Sequence, residues 1–227
     1  MFASAVTAAA APARAYKGLP MEGPIAAWYT RNVSRDLTRF TESARTVAAL
    51  APAGGRILEV APGPGFLGIE LARRGYAVSA VDISQSFVRI VGENACRAGV
   101  AIDVRHGDAA ALPFGDAQFD FVVCTAAFKN FTNPVGALNE MRRVLKPGGE
   151  ALIQDLRKDA SVEDIEAEVR KMNLSTFNEV LTRFIFRFGL LRAAYTRDAL
   201  DEVARASTFR GYQIRANGIG FDLRLRN

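Results

Sequence analysis

The chain has 227 residues, 49% of them hydrophobic, and a formal net charge of +5. This is enough for one sizeable core, without sign of a second independent domain. Residues 1–55 carry 6 basic and 3 acidic residues, residues 56–156 carry 10 and 11, and residues 157–227 carry 13 and 10. A nucleic-acid-binding surface concentrates its basic residues, and a membrane span needs about 20 consecutive apolar ones. The sequence has neither pattern, so we expect no nucleic-acid partner and no membrane span.

The N-terminal residues, 1–17, are predicted to form a disordered leader. Residues 1–15 are rich in alanine, but they lack the basic start and the strong apolar run of an export signal. The two cysteines of the chain have no metal-ligand spacing, which indicates a reducing compartment and no metal site. We therefore expect a cytoplasmic protein.

Residues 18–53 are predicted to form an N-terminal helical lid. Glycine and proline interrupt residues 18–24, and apolar residues then recur at helical spacing over residues 25–50. Trp28 and Tyr29 lie on this predicted helix. We expect these two aromatic residues to face a bound cofactor.

Strands and helices alternate in residues 54–156, which are predicted to form a cofactor-binding core. The alternation is typical of a doubly wound α/β fold with a parallel sheet. Right-handed crossovers bring the loops that follow the strands to one edge, where such folds bind ligands. The predicted strands are residues 56–60, 77–82, 101–106, 119–124 and 150–156, and the predicted helices are residues 65–74, 84–98 and 134–145.

The C-terminal third is predicted to add a helical cover, residues 157–208, and a β-hairpin, residues 209–227. Ser161 is the predicted N-cap of the first helix, with Asp164 at the capping-box spacing, and Thr196 is the predicted N-cap of the last. The complete prediction is one domain over residues 18–227 with a mostly parallel seven-stranded sheet. The additional helices are residues 161–172, 177–191 and 196–207, and the additional strands are residues 212–216 and 221–225.

A glycine-rich turn after the first predicted strand indicates a nucleotide-type cofactor site. Gly63 and Gly65 lack Cβ atoms, so the backbone can approach a ligand, and the next helix begins with unpaired N–H groups. Asp82 ends the second predicted strand, where its carboxylate would lie beside a ribose. Residues 63–68 also fit the G-x-G-x-x-G pattern of a dinucleotide site. On these residues alone, an NAD(P)-dependent oxidoreductase remains open.

Five separated motifs narrow the choice of cofactor. They resemble, in order and spacing, the motifs of the class I S-adenosylmethionine-dependent methyltransferases. The resemblance implies a Rossmann-like methyltransferase fold, S-adenosylmethionine as the cofactor and methyl transfer as the activity. One departure is Ala61, which stands where the family usually has glycine. The motifs are residues 59–65, 107–109, 112–114, 119–123 and 142–149.

The resemblance also implies cofactor contacts at four strand ends. The loop after the first strand would contact the methionine and ribose portion of the cofactor. A carboxylate at the end of the second strand would accept hydrogen bonds from both ribose hydroxyls, and the apolar residue next to it would lie near the adenine. Residues after the third strand would bind the adenine, and the backbone after the fourth would meet the methionine end. In chain order, the implied residues are Glu59, Ala61, Gly63, Gly65, Asp82, Ile83, Asp108, Ala109 and Thr125.

The segment after the fourth strand suggests the methyl acceptor. No Asn/Asp-Pro-Pro-Tyr/Phe sequence follows that strand, which disfavours amino-group methylation of DNA bases or glutamine. Instead, residues 128–133 and 137–149 resemble the ubiquinone and menaquinone C-methyltransferase branch, which has a similar pair of a basic residue and Asn. Lys129, Asn130 and Tyr29 are therefore the candidate catalytic residues.

The predicted acceptor is a small, largely apolar molecule, aromatic or quinone-like, methylated on carbon or oxygen. It would be held between the cofactor and Phe128, Lys129, Phe184 and Phe188, with Tyr195 among the further polar groups on this side. The alternatives are a small-molecule N- or S-methyltransferase and a binding module that keeps the fold without the chemistry. The working unit is expected to be a monomer or a homodimer.

Overall fold

The fold is built on one seven-stranded sheet. The structure is a computed structural model that describes residues 16–18, 20–34, 37–171 and 191–227. The strands are β1 (Arg56–Val60), β2 (Ala77–Asp82), β3 (Ile102–His106), β4 (Phe119–Thr125), β5 (Leu145–Leu156), β6 (Gly211–Asn217) and β7 (Gly220–Arg226). Their order is β3-β2-β1-β4-β5-β7-β6, and only β7 runs antiparallel to its neighbours. The predicted fold class, sheet and C-terminal hairpin are confirmed.

Helices cover both faces of the sheet. They are α1 (Gly23–Val33), α2 (Thr38–Ala48), α3 (Phe66–Arg73), α4 (Gln85–Arg97), α5 (Pro134–Val144), α6 (Val162–Lys171) and α7 (Arg197–Ala206). α2 and α3 pack against one face, where Val47 and Ile57 are fully buried. α5 and α7 pack against the other face with Met141 and Leu58. Because alternate residues of β1 enter the two layers, this strand reads as a nearly continuous apolar run.

The predicted helix starts in the C-terminal third are confirmed. The Ser161 N–H donates to Asp164 Oδ2 (3.1 Å), and the Asp164 N–H donates to Ser161 Oγ (3.1 Å), which completes the capping box. The Thr196 hydroxyl accepts a hydrogen bond from the Ala199 N–H (3.2 Å). Short-range capping patterns are therefore reliable indicators of helix starts in this chain.

The predicted helix over residues 25–50 is two helices, α1 and α2. Phe40 of α2 packs against Phe66 of α3, with ring centroids 5.5 Å apart, and Ala44 is fully buried. α2 therefore belongs to the core layer, and the lid over residues 18–53 stays a prediction. The predicted leader also extends too far, because the Lys17 N–H donates to the Asn130 carbonyl (2.8 Å).

The C-terminal prediction differs from the structure in two places. β5 begins at Leu145, five residues before its predicted start, because Leu145 pairs with Phe119 across a register shift. In the predicted helical cover, α7 packs against α5 and buries Leu200 in the core. The predicted helix over residues 177–191 lies outside the described residues except for Leu191. None of the described helices has both the length and the apolar composition needed to cross a bilayer.

Two glycines near α4 give a matched test of the packing. Gly65 has φ +80°, and an added Cβ would lie 2.9 Å from Val91 Cγ1, whereas an added Cβ at Gly92 would meet nothing within 4 Å. We expect Gly65→Ala to lower the free energy of unfolding by about 2 kcal/mol, because it combines a left-handed backbone with a clash. Gly92→Ala should raise it by about 0.5–1 kcal/mol, because glycine is unfavourable inside a helix. Urea denaturation measures both changes, and equal effects of the two substitutions would contradict this packing.

Candidate cofactor and acceptor site

The glycine-rich loop after β1 lies at the carboxyl edge of the parallel strands. Ala61 has φ +56°, a left-handed conformation that explains why glycine is usual at this position. Its N–H donates to the Val81 carbonyl (2.8 Å), so the β1–β2 pairing holds the residue in place. Gly63 has φ +53°. The loop therefore depends on three left-handed residues, Ala61, Gly63 and Gly65, and only Ala61 carries a side chain.

Asp82, at the end of β2, holds this loop by its carboxylate. Oδ2 accepts a hydrogen bond from the Gly63 N–H (3.2 Å), and Oδ1 accepts one from the Ser84 N–H (2.8 Å). The side chain is buried, which raises its pKa to about 6, although the two hydrogen bonds act in the opposite direction. Asp82 therefore joins the loop after β1 to the start of α4.

The residues predicted to bind adenine lie along the ends of β2 and β3. Ile83 is 40% exposed although it is a large apolar residue. Asp108 Oδ1 accepts a hydrogen bond from the Ala110 N–H (2.9 Å), which fixes the turn after β3. Ala109 is partly buried against the core. The structure thus brings an exposed apolar surface and an oriented carboxylate to neighbouring strand ends.

Glu59 is a residue of β1, and its side chain lies beneath the glycine-rich loop and faces α3. It is 2% exposed, and its Oε2 atom has no hydrogen-bond partner in the described parts of the chain. Burial raises its pKa to about 8, and the nearby Asp82 acts in the same direction. A Cβ added to Gly68 would lie 2.7 Å from this oxygen, so glycine in α3 makes room for the acid. A contact between Glu59 and the cofactor stays a prediction.

The segment before α1 is attached to the first turn of α4. Glu22 accepts hydrogen bonds from the Gln85 and Ser86 N–H groups, both 3.0 Å, so it satisfies donors at the helix start. The Ser84 hydroxyl donates to the Met21 carbonyl (2.6 Å). α4 begins directly after Asp82, so α1 is tied to the same place as the glycine-rich loop.

The two aromatic residues predicted to face the cofactor point in different directions. Tyr29 is partly buried, and its ring lies 6.0 Å from that of Phe87, edge to face. Its Cε1 atom lies 3.9 Å from the position of a Cβ added to Gly63. Trp28 is 60% exposed. Tyr29, and not Trp28, therefore adjoins the glycine-rich loop.

The predicted acceptor residues follow β4, where Thr125 ends the strand. Lys129 is held in place: its ammonium donates to Asp155 Oδ1 (2.8 Å) and to the Ala126 carbonyl (2.9 Å). The Lys129 side chain is only 11% exposed and the Asp155 side chain is fully buried. Asn130 is partly buried in the same turn. Through this ion pair, Lys129 stabilises the ends of β4 and β5. We call this region the acceptor side, because the sequence predicts the methyl acceptor there.

Phe128 also differs from its predicted position. The ring is completely buried and packs against Phe131 and Tyr195, with centroid distances of 5.5 and 5.7 Å. Phe128 therefore packs beneath the surface of the acceptor side and is not part of that surface. Phe184 and Phe188 lie outside the described residues.

The sequence prediction missed Tyr16, which falls in the predicted leader. Tyr16 pairs with Phe131 in an isolated antiparallel bridge. Burial raises the pKa of Tyr16, and the negative charges of Asp82 and Asp155 act in the same direction. The only signal in the sequence is an aromatic residue at the edge of a low-complexity segment, because the pairing partner is more than 100 residues away.

The carboxyl edge of the parallel strands, called the loop edge below, fits an adenosyl ligand. Within the described chain, only Tyr29 would approach within 4 Å of a Cβ at Gly63, so the backbone there is open to a ligand. The carboxylate of Asp82 has about four lone-pair sites and uses two of them for backbone N–H groups, which leaves acceptors for ribose hydroxyls. Ile83 offers apolar surface for a base. These residues would hold S-adenosylmethionine without a change in the loop.

Sequence comparisons find similar proteins for the central part of the chain. Residues 58–153 match the model of a family described as a methyltransferase domain. The demethylmenaquinone methyltransferase of Deinococcus radiodurans is 35% identical over 133 residues, which cover 58% of this chain and 55% of that protein. The ubiquinone/menaquinone biosynthesis C-methyltransferase UbiE of Cupriavidus metallidurans is 34% identical over 108 residues, which cover 46% and 44%. Over the cofactor-binding core, the chain is therefore similar to S-adenosylmethionine-dependent methyltransferases. It spans about half the length of these relatives.

Solved structures share the fold of this chain. A putative S-adenosyl-L-methionine-dependent methyltransferase of Methanococcus maripaludis has a TM-score of 0.65 at 23% identity, and the match covers 88% of this chain and 91% of that one. The predicted resemblance to the class I methyltransferases and to their UbiE-like branch is confirmed, and S-adenosylmethionine is the cofactor that this resemblance implies. The roles of individual residues stay predictions.

Glu59 should make the stability of this protein depend on pH. Its pKa in the folded chain, about 8, lies above the ordinary value of 4.5, so its contribution to stability is complete below pH 4.5 and is lost as the pH rises through 8. At about 1.4 kcal/mol per pKa unit, the loss is at most about 5 kcal/mol. We expect the wild type to lose stability between pH 5 and 8 and Glu59→Gln to lose less, as measured by urea denaturation. Parallel pH profiles would contradict the assignment.

Asp82 should make cofactor affinity depend on pH. Only the carboxylate accepts hydrogen bonds from both ribose hydroxyls, so the affinity for S-adenosylhomocysteine should rise from pH 5 to pH 7, through the pKa of about 6. Asp82→Asn should bind about 10- to 100-fold more weakly at pH 7.5, as expected for lost hydrogen bonds to a charged group, and without this pH dependence. Calorimetry measures both, with Asp103→Asn, an exposed carboxylate on β3, as the matched control. Unchanged affinity in Asp82→Asn would exclude the ribose role.

Proposed function

We propose that this chain transfers the methyl group of S-adenosylmethionine to carbon or oxygen of a small, largely apolar acceptor that is aromatic or quinone-like. The observation that carries the proposal is the composition of the acceptor side. Beside the glycine-rich loop, the ends of β4 and β5 pack on buried aromatic rings, and the ion pair that they hold, Lys129 and Asp155, is internally neutralised. Such a site matches the polarity of an apolar ring with few polar atoms.

The names of the relatives support the same acceptor class. One is named a demethylmenaquinone methyltransferase and another a ubiquinone/menaquinone biosynthesis C-methyltransferase. The chain spans only about half of each relative. The term quinone-like therefore describes the proposed chemical class of the acceptor.

When bound, S-adenosylmethionine supplies a methyl group whose sulfonium sulfur leaves as a neutral thioether. Because the leaving group needs no proton, the task of the protein is to align the acceptor with the methyl group and to exclude water. Asp82 and the loop at Gly63 would fix the ribose, and Tyr29 on α1 would cover the loop. Thr125 and Asn130 would border the acceptor. The ammonium of Lys129 is already bound, so it would position the turn instead of removing a proton.

A small-molecule N- or S-methyltransferase is the second candidate, because the same cofactor geometry serves an amine or a thiol. A binding module without chemistry and an NAD(P)-dependent oxidoreductase are weaker alternatives. The support for the binding module is the left-handed backbone of Ala61, which would reduce the affinity for the cofactor. The G-x-G-x-x-G pattern is the support for the oxidoreductase. We keep the expectations of a cytoplasmic protein and of a monomer or homodimer as proposals.

Ligand binding and an acceptor screen test the function. By calorimetry, S-adenosylhomocysteine should bind with a Kd on the order of micromolar, similar to common substrate constants, and NADH should give no signal. With radiolabelled S-adenosylmethionine, phenols and quinols should be methylated in preference to amines and thiols. Binding of NADH alone would reject the methyltransferase activity. Methylation of amines or thiols alone would reject only the acceptor class.

A further inference from the structure

Tyr195 carries a buried hydroxyl at the acceptor side that the proposed reaction has not used. Its oxygen is inaccessible and has no hydrogen-bond partner in the described parts of the chain. An unpaired buried hydroxyl costs roughly as much as a lost hydrogen bond, so such groups usually serve a purpose. Tyr195 pairs with Arg157 directly after β5, and its ring lies over Phe128. The hydroxyl is therefore positioned at the ends of β4 and β5, next to the proposed acceptor.

The neighbouring carboxylate does not need this hydroxyl. Asp155 Oδ1 accepts hydrogen bonds from the Lys129 ammonium and the Leu156 N–H, and Oδ2 accepts one from the Lys129 N–H, all at 2.8 Å. Three of about four lone-pair sites are thus occupied by fixed donors. The ion pair is internally satisfied, which leaves the hydroxyl of Tyr195 available to another oxygen.

Tyr16 brings a second hydroxyl-bearing ring to the turn after β4, from the N-terminal side. The segment of Tyr16 and Lys17 is fixed by backbone pairing to Phe131 and Asn130. The ring folds back over Gly18, where an added Cβ would lie 2.5 Å from Tyr16 Cε1. Only glycine at this position leaves room for the ring. Tyr16 and Tyr195 therefore approach the acceptor side from two separate parts of the chain.

We propose that the hydroxyl of Tyr195 donates a hydrogen bond to a ring oxygen of the acceptor, with Tyr16 as a second donor. The inference rests on the proposed function and adds the group that recognises the acceptor. Burial and the negative charge of Asp155 raise the pKa of both tyrosines, so each remains a neutral donor at physiological pH. The site then selects hydroxylated or quinoid rings over plain hydrocarbons, because an acceptor without oxygen leaves the buried hydroxyl unpaired.

A paired-ligand experiment tests this recognition. The wild type, saturated with S-adenosylhomocysteine, is titrated with 1-naphthol and with naphthalene, which differ by one hydroxyl group. Tyr195→Phe keeps the ring on Phe128 and removes only the donor. We expect this variant to bind 1-naphthol about 5- to 10-fold more weakly, as for one lost neutral hydrogen bond, and to bind naphthalene as the wild type does. In turnover with a phenolic acceptor, KM should rise more than kcat falls.

Controls separate recognition from packing. Tyr212→Phe is matched chemically, because its hydroxyl donates to Asp201 (2.7 Å), and neither residue belongs to the loop edge; it should leave both affinities unchanged. The affinity for S-adenosylhomocysteine reports correct folding of each variant. If Tyr195→Phe does not fold, Tyr16→Phe provides the same comparison, with a smaller expected loss for 1-naphthol alone.

Three results would overturn the inference, and they are distinguishable. Equal binding of 1-naphthol by the wild type and Tyr195→Phe would exclude the donor while leaving the acceptor class intact. Equal loss for 1-naphthol and naphthalene would mean that Tyr195 only packs. If the wild type binds S-adenosylhomocysteine but neither 1-naphthol nor a set of other phenols and quinones, both this inference and the proposed acceptor class are wrong.

Discussion

The buried carboxylate of Asp82 is the interaction on which the geometry of the site depends. It joins the loop after β1 to the start of α4 through two backbone N–H groups. α4, in turn, receives the carboxylate of Glu22 at its first turn, which fixes the segment before α1. A charge taken out of water is tolerated here because several donors satisfy it. One residue at a strand end therefore determines the positions of the loop, a helix start and the covering segment.

A second buried carboxylate, Asp155, has the corresponding position at the end of β5, with a different result. The donors around Asp82 are backbone N–H groups that leave acceptor capacity for a ligand, whereas Asp155 is neutralised by the Lys129 ammonium. On one side of the sheet edge, the carboxylate of Asp82 remains a charged hydrogen-bond acceptor, which suits hydroxyl groups. On the other side, the charge of Asp155 is neutralised and the surrounding rings are apolar. Two strand-end aspartates thus give the sheet edge a polar side and an apolar side, which match the proposed cofactor and acceptor.

The sequence predicted the parts of the fold that depend on local chemistry. Continuous apolar runs identified the buried parallel strands, and the glycine loop and Asp82 meet at the carboxyl edge of these strands, as predicted. The capping box at Ser161 was equally local. Contacts between distant segments were not predictable: the pairing of Tyr16 with the turn after β4, and the ion pair that holds Lys129, both join residues whose separation carries no periodic signal. The break between α1 and α2 was missed because apolar spacing continues across it.

The left-handed alanines show why motif and geometry have to be considered together. Ala61 and Ala126 both have positive φ, at +56° and +57°, and they follow β1 and β4 at the same edge. Each N–H donates to a carbonyl of the neighbouring strand, Val81 or Gln154 (2.8 and 2.7 Å), so sheet pairing sustains a conformation that alanine disfavours by about 1–2 kcal/mol. The strain lies where the chain must turn sharply away from the sheet. A missing motif glycine at position 61 therefore leaves the loop geometry intact at a cost in stability, and the backbone at Gly63 remains open to the cofactor.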